Sequence, residues 1–119
     1  MAESSAANRP IETFEKFWLY YLREHAKPET RALHYLGTGL ALLGFVAFLV
    51  TGNPWVLPGV PVAGYGPAWI AHFFVERNRP ATFTYPMWSL AGDFRMAFRW
   101  LTGRIDEDLE RAGVEEPKR

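Results

Sequence analysis

The chain has 119 residues, and thirteen basic side chains balance thirteen acidic ones, so its composition gives no sign of a nucleic-acid-binding protein. This length supports one domain, and the absence of cysteine excludes disulfides and thiolate metal sites. The mean hydropathy of −0.12 conceals an uneven distribution, because the segment Ala32–Val75 contains no Asp, Glu, Lys or Arg. Together with an aromatic content of 16%, this segment indicates a protein that meets lipid.

The N-terminal part predicts a tail followed by an amphipathic helix. Residues 1–12 are mostly small or polar and predict a flexible tail. From Thr13 onward, apolar side chains recur every three or four positions, as on one face of a helix. His25 continues that face, and Pro28 is expected to end the helix.

A second helix is predicted to begin at Pro28, because proline is tolerated at the first helical position. Its segment Ala32–Val50 is uncharged and long enough to cross a membrane. Three small residues, Gly37, Ala41 and Gly44, share one face and predict close packing against another helix. The alternative interpretation is a buried helix in a soluble core.

The return half of the uncharged segment is rich in proline and glycine. A turn is predicted at residues 51–54. Because an internal proline removes a helical hydrogen bond, we expect no regular helix through Trp55–Gly66. A regular helix is expected to restart at Pro67 and to run to about Arg77. This half is therefore predicted to be a broken or re-entrant return pass.

The remainder is predicted to contain one more helix. A basic turn at residues 77–80 leads into a short extended link, Ala81–Tyr85. An amphipathic helix follows from Pro86 to about Leu101.

The predicted fold is all-α: a small integral membrane helical bundle, with a membrane hairpin, a proline-broken return pass and flanking amphipathic helices. Residues 13–103 form its single domain, and residues 104–119 form a charged C-terminal tail to which we assign no chemistry. Basic residues flank both ends of the hairpin, which places both ends on the cytoplasmic side. We expect the inner membrane of a bacterium, or the endoplasmic reticulum membrane of a eukaryote.

The histidines lie at the margins of the uncharged segment. A hairpin that turns near residues 52–53 returns His72 to the level of His34, and His25 and Glu76 flank the same mouth. His72 and Glu76 are four positions apart and share one helical face. Three imidazoles and one carboxylate form a donor set for a divalent metal.

The predicted donor set leaves several metals open. It contains no sulfur, and it suits iron(II), zinc or manganese. Non-haem iron oxygenases use two histidines and a carboxylate, and a zinc hydrolase uses similar ligands with an activated water. Bis-histidine haem ligation is a third option without an attachment motif. The alternative is that the histidines extend to the membrane interface or bond to neighbouring groups.

Four other polar residues lie near the same mouth. Arg31, Asn78 and Arg79 are candidates for substrate binding, since an arginine can pair with a carboxylate. Positive charge beside an uncharged span also follows from membrane topology alone. Asp93 is expected either to orient a ligand histidine or to stabilise an interhelical contact.

These residues belong to longer stretches that resemble a family long catalogued as a domain of unknown function. Its characterised fungal member is an endoplasmic-reticulum, iron(II)-dependent 2-hydroxy fatty acid dioxygenase that acts in α-oxidation. The resemblance covers roughly 14–98. The matching residues are Phe17-Trp18, Tyr21-Leu22, His25, Pro28, Arg31, Leu33-His34, Gly37-Thr38, Gly64-Tyr65-Gly66, Ala68-Trp69, His72-Phe73, Glu76, the block Asn78–Phe83, Tyr85-Pro86, Ser89-Leu90 and Asp93.

The resemblance implies a fatty acid α-oxidation enzyme with Fe(II) as cofactor. It implies that a 2-hydroxy fatty acid and dioxygen are the substrates, and that His25, His34 and His72 are the essential histidines. Glu76 matches the family motif, and its spacing makes it the candidate fourth ligand. Two rival functions remain: a zinc-dependent membrane lipid hydrolase, and a non-catalytic membrane module that binds lipid or a partner.

Overall fold

The computed structural model describes residues 11–114, and every regular element in that range is helical, which confirms the predicted all-α class. Most of the predicted tail 1–12 lies outside this range. In chain order the elements are α1 (Phe14–Arg23), α2 (Pro28–Thr51), a 3₁₀ turn (Pro54–Val56), α3 (Gly59–Ile70), a π-helical segment (Ala71–Glu76), a 3₁₀ turn (Ala81–Phe83), α4 (Pro86–Leu101) and α5 (Ile105–Ala112).

The core lies where α1, α4 and α5 meet. Helix α1 begins after Thr13, whose side-chain oxygen accepts a hydrogen bond from the backbone N–H of Lys16. Its apolar face supplies Phe17 and Trp18, both fully buried, and Met96 of α4 packs into the same cluster. The amphipathic helix predicted from Thr13 therefore forms, and its apolar face packs inside the protein.

Helix α5 lies beyond the predicted end of the domain at residue 103. Ile105, Leu109 and Ala112 recur at helical spacing and belong to the core cluster. On α5, the carboxylate of Asp108 binds the guanidinium of Arg99 through two hydrogen bonds of 2.8 and 2.9 Å. The predicted tail 104–119 is corrected accordingly: its high charge conceals an apolar stripe, and the domain includes residues 105–112. Residues 115–119 lie outside the described range.

Helix α2 carries eight of the exposed large apolar side chains, more than any other element among the described residues. Its 24 residues span about 36 Å, which exceeds the roughly 30 Å hydrocarbon thickness of a bilayer. Only 11% of its most apolar stretch is buried, and among the described residues it is the one helix long and apolar enough to cross a membrane. Its predicted start at Pro28 is confirmed, and it ends at Gly52, whose φ of 66° suits glycine.

Helix α3 begins much earlier than predicted. Residues 59–66 are α-helical, so the prediction that Trp55–Gly66 forms no regular helix is wrong for them. Pro61 lies in the first turn, where backbone N–H groups have no acceptor within a helix. Pro67 is internal and withholds a hydrogen bond from the carbonyl of Ala63.

The predicted small-residue face of α2 is the surface against which α3 packs. A Cβ atom added to Gly37 would meet the Gly64 carbonyl oxygen at 2.4 Å. Further along, a Cβ on Gly44 would lie 3.1 Å from the Val60 side chain. A Cβ on Gly64 would touch the Ala41 side chain at 3.4 Å. The two helices form a tight antiparallel hairpin, which returns the end of α3 to the start of α2.

The helical segment directly before the basic turn at residues 77–80 is π-helical. We predicted a regular helix to about Arg77, whereas Ala71–Glu76 is a π-helix. The segment ends at Glu76. Its C-terminal end is closed by the carbonyl oxygen of His72, which accepts hydrogen bonds from the backbone N–H groups of Arg77 and Asn78. Arg77 has φ of 63°, an unfavourable conformation for a side chain larger than glycine. Strained segments of this kind concentrate at functional sites.

The predicted extended link Ala81–Tyr85 is also corrected. Residues Ala81–Phe83 form a 3₁₀ turn, and the backbone N–H of Tyr85 donates to the carbonyl of Ala81 at 2.8 Å. Local backbone hydrogen bonds therefore replace the extended conformation. Helix α4 then runs from Pro86 to Leu101, as predicted.

Candidate metal centre

Three histidines from three different segments meet at the mouth of the hairpin. His25 follows α1, His34 lies in the second turn of α2, and His72 lies in the π-helical segment. Their exposed fractions are only 1%, 4% and 2%. One nitrogen from each ring lies within 4.8 Å of the other two, which makes the group able to hold a metal ion.

Hydrogen bonds fix the same tautomer in all three rings. Each Nδ1 atom faces a carbonyl-type oxygen, which can only accept, so each Nδ1 carries the hydrogen and donates it. Each Nε2 atom therefore keeps its lone pair for a ligand. The three bonds join His25 Nδ1 to Tyr21 O (2.6 Å), His34 Nδ1 to Thr30 O (2.8 Å) and His72 Nδ1 to Asn78 Oδ1 (2.7 Å).

The Nε2 atoms then face one another at short range. Nε2 of His25 lies 3.0 Å from that of His34 and 3.1 Å from that of His72. Burial, followed by the two neighbouring imidazoles, lowers the pKa of His25 well below its usual value, so this ring is neutral. Neutral lone pairs at this distance repel, and a cation between them removes the repulsion. Metal–nitrogen bonds of about 2.1 Å at right angles give a nitrogen–nitrogen distance of about 3 Å.

Glu76, the predicted fourth ligand, lies outside this group. Its Oε1 atom accepts a hydrogen bond from the backbone N–H of Lys27, the residue that precedes α2. Among the described residues, the candidate metal group contains three histidines and no carboxylate. Glu76 thus pairs with the backbone N–H of the residue that precedes α2.

The three residues predicted to bind substrate do not line the histidine pocket. Arg31 is 2% exposed, and its guanidinium donates to the backbone carbonyls of His25 (2.9 Å) and Ala26 (2.8 Å). Arg79 is exposed, and its guanidinium lies 5.3 Å from the centre of the Phe83 ring. Asn78 bonds to His72 and, through its amide nitrogen, donates to a backbone carbonyl of the α1 end at 3.0 Å.

A small pocket adjoins the three rings. Its volume of about 10 Å³ is close to that needed for a single water molecule. Ser89 of α4 lines it and is 2% exposed, and its hydroxyl has no hydrogen-bond partner among the described residues. Ser89 was not among the predicted site residues; in the sequence, its place in the Ser89-Leu90 pair of the family signature was the only available signal.

Asp93 reaches the histidines through Tyr21. The phenol of Tyr21 donates a short hydrogen bond to the Asp93 carboxylate, and its ring stacks on His25 with the ring centres 4.0 Å apart. Asp93 therefore does not bond directly to a ligand histidine, which was one of the two predicted roles; it makes the interhelical contact. Burial raises the pKa of Asp93 to about 7, although the Tyr21 hydrogen bond opposes this shift.

Fold and site together define an all-helical protein with a buried three-histidine centre beside a long apolar helix. The sequence model of the family described as 2-hydroxy-palmitic acid dioxygenase Mpo1-like matches residues 11–105, which include all three histidines. The chain belongs to this family, and the resemblance seen in the sequence is confirmed. No curated protein and no solved structure matches the chain.

Proposed function

We propose that the protein is an iron(II)-dependent dioxygenase that shortens 2-hydroxy fatty acids by one carbon. The observation that carries the proposal is the convergence of three Nε2 lone pairs in a chain that belongs to the Mpo1-like family. The family description supplies the substrate class, and the donor set supplies a place for the metal.

The proposed reaction balances without an external reductant. The bond between C1 and C2 of the 2-hydroxy acid breaks, C2 becomes the carboxyl carbon of the shorter acid, and C1 leaves as carbon dioxide. One dioxygen molecule is reduced by four electrons, and one water molecule is released. The carbon atoms supply all four electrons, so the substrate itself is the reductant.

His25, His34 and His72 would hold the metal through their Nε2 atoms. Iron bound there would supply the redox chemistry that lets dioxygen react with the fatty acid. The backbone carbonyls of Tyr21 and Thr30 keep two of the rings in the ligating tautomer. Asn78 does the same for the third ring, so we propose that it is a positioning residue.

Two α4 residues would act on the substrate head group. The Ser89 hydroxyl lines the pocket and has a hydrogen available for a carboxylate or hydroxyl oxygen. Asp93, with a pKa near 7, would take a proton from the 2-hydroxyl group or return one at physiological pH. The burial of all three histidines excludes bulk water from the same space.

The membrane is the proposed environment of the protein. Helix α2 is long enough to cross a bilayer, and large side chains such as Leu43 (67% exposed) and Leu49 (63% exposed) cover its outer surface. A water-facing surface of this kind is unfavourable, whereas lipid solvates it. We propose that the histidines lie at the cytoplasmic interface, because basic residues flank both ends of the hairpin.

A zinc-dependent lipid hydrolase is the second candidate. The specific observation in its favour is that the described group contains three histidines and no carboxylate, since three histidines also suit catalytic zinc. Such an enzyme would turn over a lipid ester or amide without oxygen.

The test is oxygen uptake by the iron-loaded protein with 2-hydroxypalmitate. We expect one dioxygen consumed per pentadecanoic acid formed, and no reaction with palmitate, which lacks the 2-hydroxyl group. Thr51→Ala, near the opposite end of α2, serves as a control that should retain activity. Absence of uptake by fully iron-loaded wild-type protein would contradict the proposal, and oxygen-independent turnover by zinc-loaded protein would favour the hydrolase.

A further inference from the structure

An apolar groove of about 530 Å³ opens between α2, α3 and α4. Tyr65 and Asp93 line both this groove and the histidine pocket, so the two spaces meet at these side chains. Within residues 11–114, no lysine or arginine lines the groove. Its other walls are mainly apolar and include Ala41, Leu42, Phe45, Val60, Leu90 and Phe94.

The groove follows the helices directly away from the histidines. On α2, Phe45 lies eleven residues after His34 on the same face; on α3, Pro61 lies eleven residues before His72. Eleven helical residues rise about 16 Å, so on both walls the far end of the groove lies about 16 Å from the histidines. If α2 crosses the bilayer, this path leads from the interface to about the bilayer midplane.

The dimensions of the groove indicate which kind of ligand can bind in it. On α2 the wall of the groove runs from Thr38 to Phe45, seven residues or about 10 Å, so a volume of about 530 Å³ leaves a cross-section of about 50 Å², whereas a helix about 10 Å wide needs about 80 Å². The groove is therefore too narrow for a helix of a second copy or of a partner. An extended chain advances about 1.2 Å per bond, so the path of about 16 Å from the histidines to the far end of the groove has room for roughly 13 carbons.

We propose that this groove binds the acyl chain of the lipid substrate, with the carboxyl end at the histidines and the methyl end near Phe45. The chain then lies parallel to the surrounding lipid, with its polar end at the interface. The carboxylate at the head of this ligand rests on the proposed function. The alkyl chain is inferred from the apolar walls of the groove alone.

Leu42 gives a direct way to block the groove. It lies eight residues, or about 12 Å, beyond His34, at the depth of roughly the tenth carbon. It is 47% exposed, so Leu42→Trp adds bulk without breaking the core. Leu43→Trp is the matched control, because Leu43 is 67% exposed and is absent from the groove wall.

The experiment is photolabelling of the full chain in lipid nanodiscs with a palmitate that carries a diazirine at carbon 10, followed by mapping of the labelled peptides. We expect labelling of Leu42, Phe45 and Val60 that excess 2-hydroxypalmitate displaces. Labelling should fall at least fivefold in Leu42→Trp and stay unchanged in Leu43→Trp. Equal labelling of the outer residues of α2, or full labelling in Leu42→Trp, overturns the proposal.

This experiment separates the groove from the reaction. The palmitate probe lacks the 2-hydroxyl group, so its binding requires no turnover. Displaceable labelling of the groove in a protein that consumes no oxygen supports the groove and contradicts the proposed function. Oxygen consumption with labelling only on the outer surface contradicts the groove and leaves the proposed function intact.

Discussion

Asn78 holds His72 in place: the 2.7 Å hydrogen bond between Asn78 Oδ1 and His72 Nδ1 leaves the Nε2 lone pair of His72 facing His25. This bond connects the basic turn at residues 77–80 to the π-helical segment. The same amide donates to the backbone carbonyl of Glu24, next to His25. One side chain therefore sets the relative position of two of the three rings.

Removal of this side chain should weaken metal binding. We expect Asn78→Ala to lower metal affinity by about 10- to 100-fold, because the ring loses its orienting acceptor. Asn78→Asp keeps an acceptor oxygen and should retain most of the affinity. Competitive metal titration against a fluorescent chelator measures both, and equal affinity in Asn78→Ala and the wild type would show that the bond does not position His72.

Glu76 provides a test of its own role. The structure places its carboxylate on the backbone N–H of Lys27, so Glu76→Gln, which retains an acceptor oxygen, should leave metal content unchanged. His72→Ala should lose the metal under the same conditions. Elemental analysis of the purified variants measures their metal content. If Glu76→Gln folds like the wild type but loses the metal, this carboxylate is a metal ligand.

Ser89 should matter for activity and not for stability. Its buried hydroxyl lacks a partner among the described residues, so Ser89→Ala should leave the melting temperature unchanged or raise it slightly. We expect kcat/KM for 2-hydroxypalmitate to fall about tenfold, equivalent to about 1.4 kcal/mol of transition-state stabilisation. A variant with lower stability and normal activity would instead assign Ser89 to packing.

The raised pKa of Asp93 should give the stability of the protein an unusual dependence on pH. Burial raises the pKa of Asp93 from its ordinary value of 3.8 to about 7, so between these pH values the folded state holds a proton that the unfolded state releases. The stabilisation from this group is complete below about pH 4 and is lost as pH rises through 7. Asp93→Asn removes this titration, whereas the histidines titrate alike in both proteins, so the stability advantage of the wild type over Asp93→Asn should shrink as pH rises from 5 to 8. A difference in thermal stability that stays constant over this pH range contradicts the assignment.

Gly37 and Gly39 form a matched pair on α2. A Cβ on Gly37 would meet the Gly64 carbonyl oxygen at 2.4 Å, so Gly37→Ala should destabilise the fold by about 1–3 kcal/mol. No atom of the described part of the chain lies within 4 Å of a Cβ on Gly39, so Gly39→Ala should stabilise the helix by about 0.5–1 kcal/mol. Denaturation in detergent compares the two, and similar effects of both substitutions would exclude the tight α2–α3 contact.

The helices with regular apolar spacing were predictable from the sequence. Thr13 and Pro28 start α1 and α2 through local chemistry, and Pro86 starts α4 in the same way. The sequence also predicted that His34 and His72 lie at the same level, because the positions of the turn and of the two histidines suffice for that argument.

The remaining features depend on tertiary contacts. The helical state of residues 59–66 is supported by packing of Gly64 against Gly37, which outweighs the unfavourable prolines. The π-helical turn and the left-handed Arg77 depend on bonds to His72. The place of Glu76 follows from its hydrogen bond with the backbone N–H of Lys27, which no periodicity in the sequence reveals.

Metal content per chain tests the central claim most directly. The full chain is purified without oxygen, and iron, zinc and manganese are measured in the wild type and in His25→Ala, His34→Ala and His72→Ala, with Asn53→Ala as a control far from the site. We predict one iron per wild-type and control chain, and a loss in every histidine variant. Full metal content in any folded histidine variant, or wild-type protein that binds none of the three metals, would contradict the three-histidine centre.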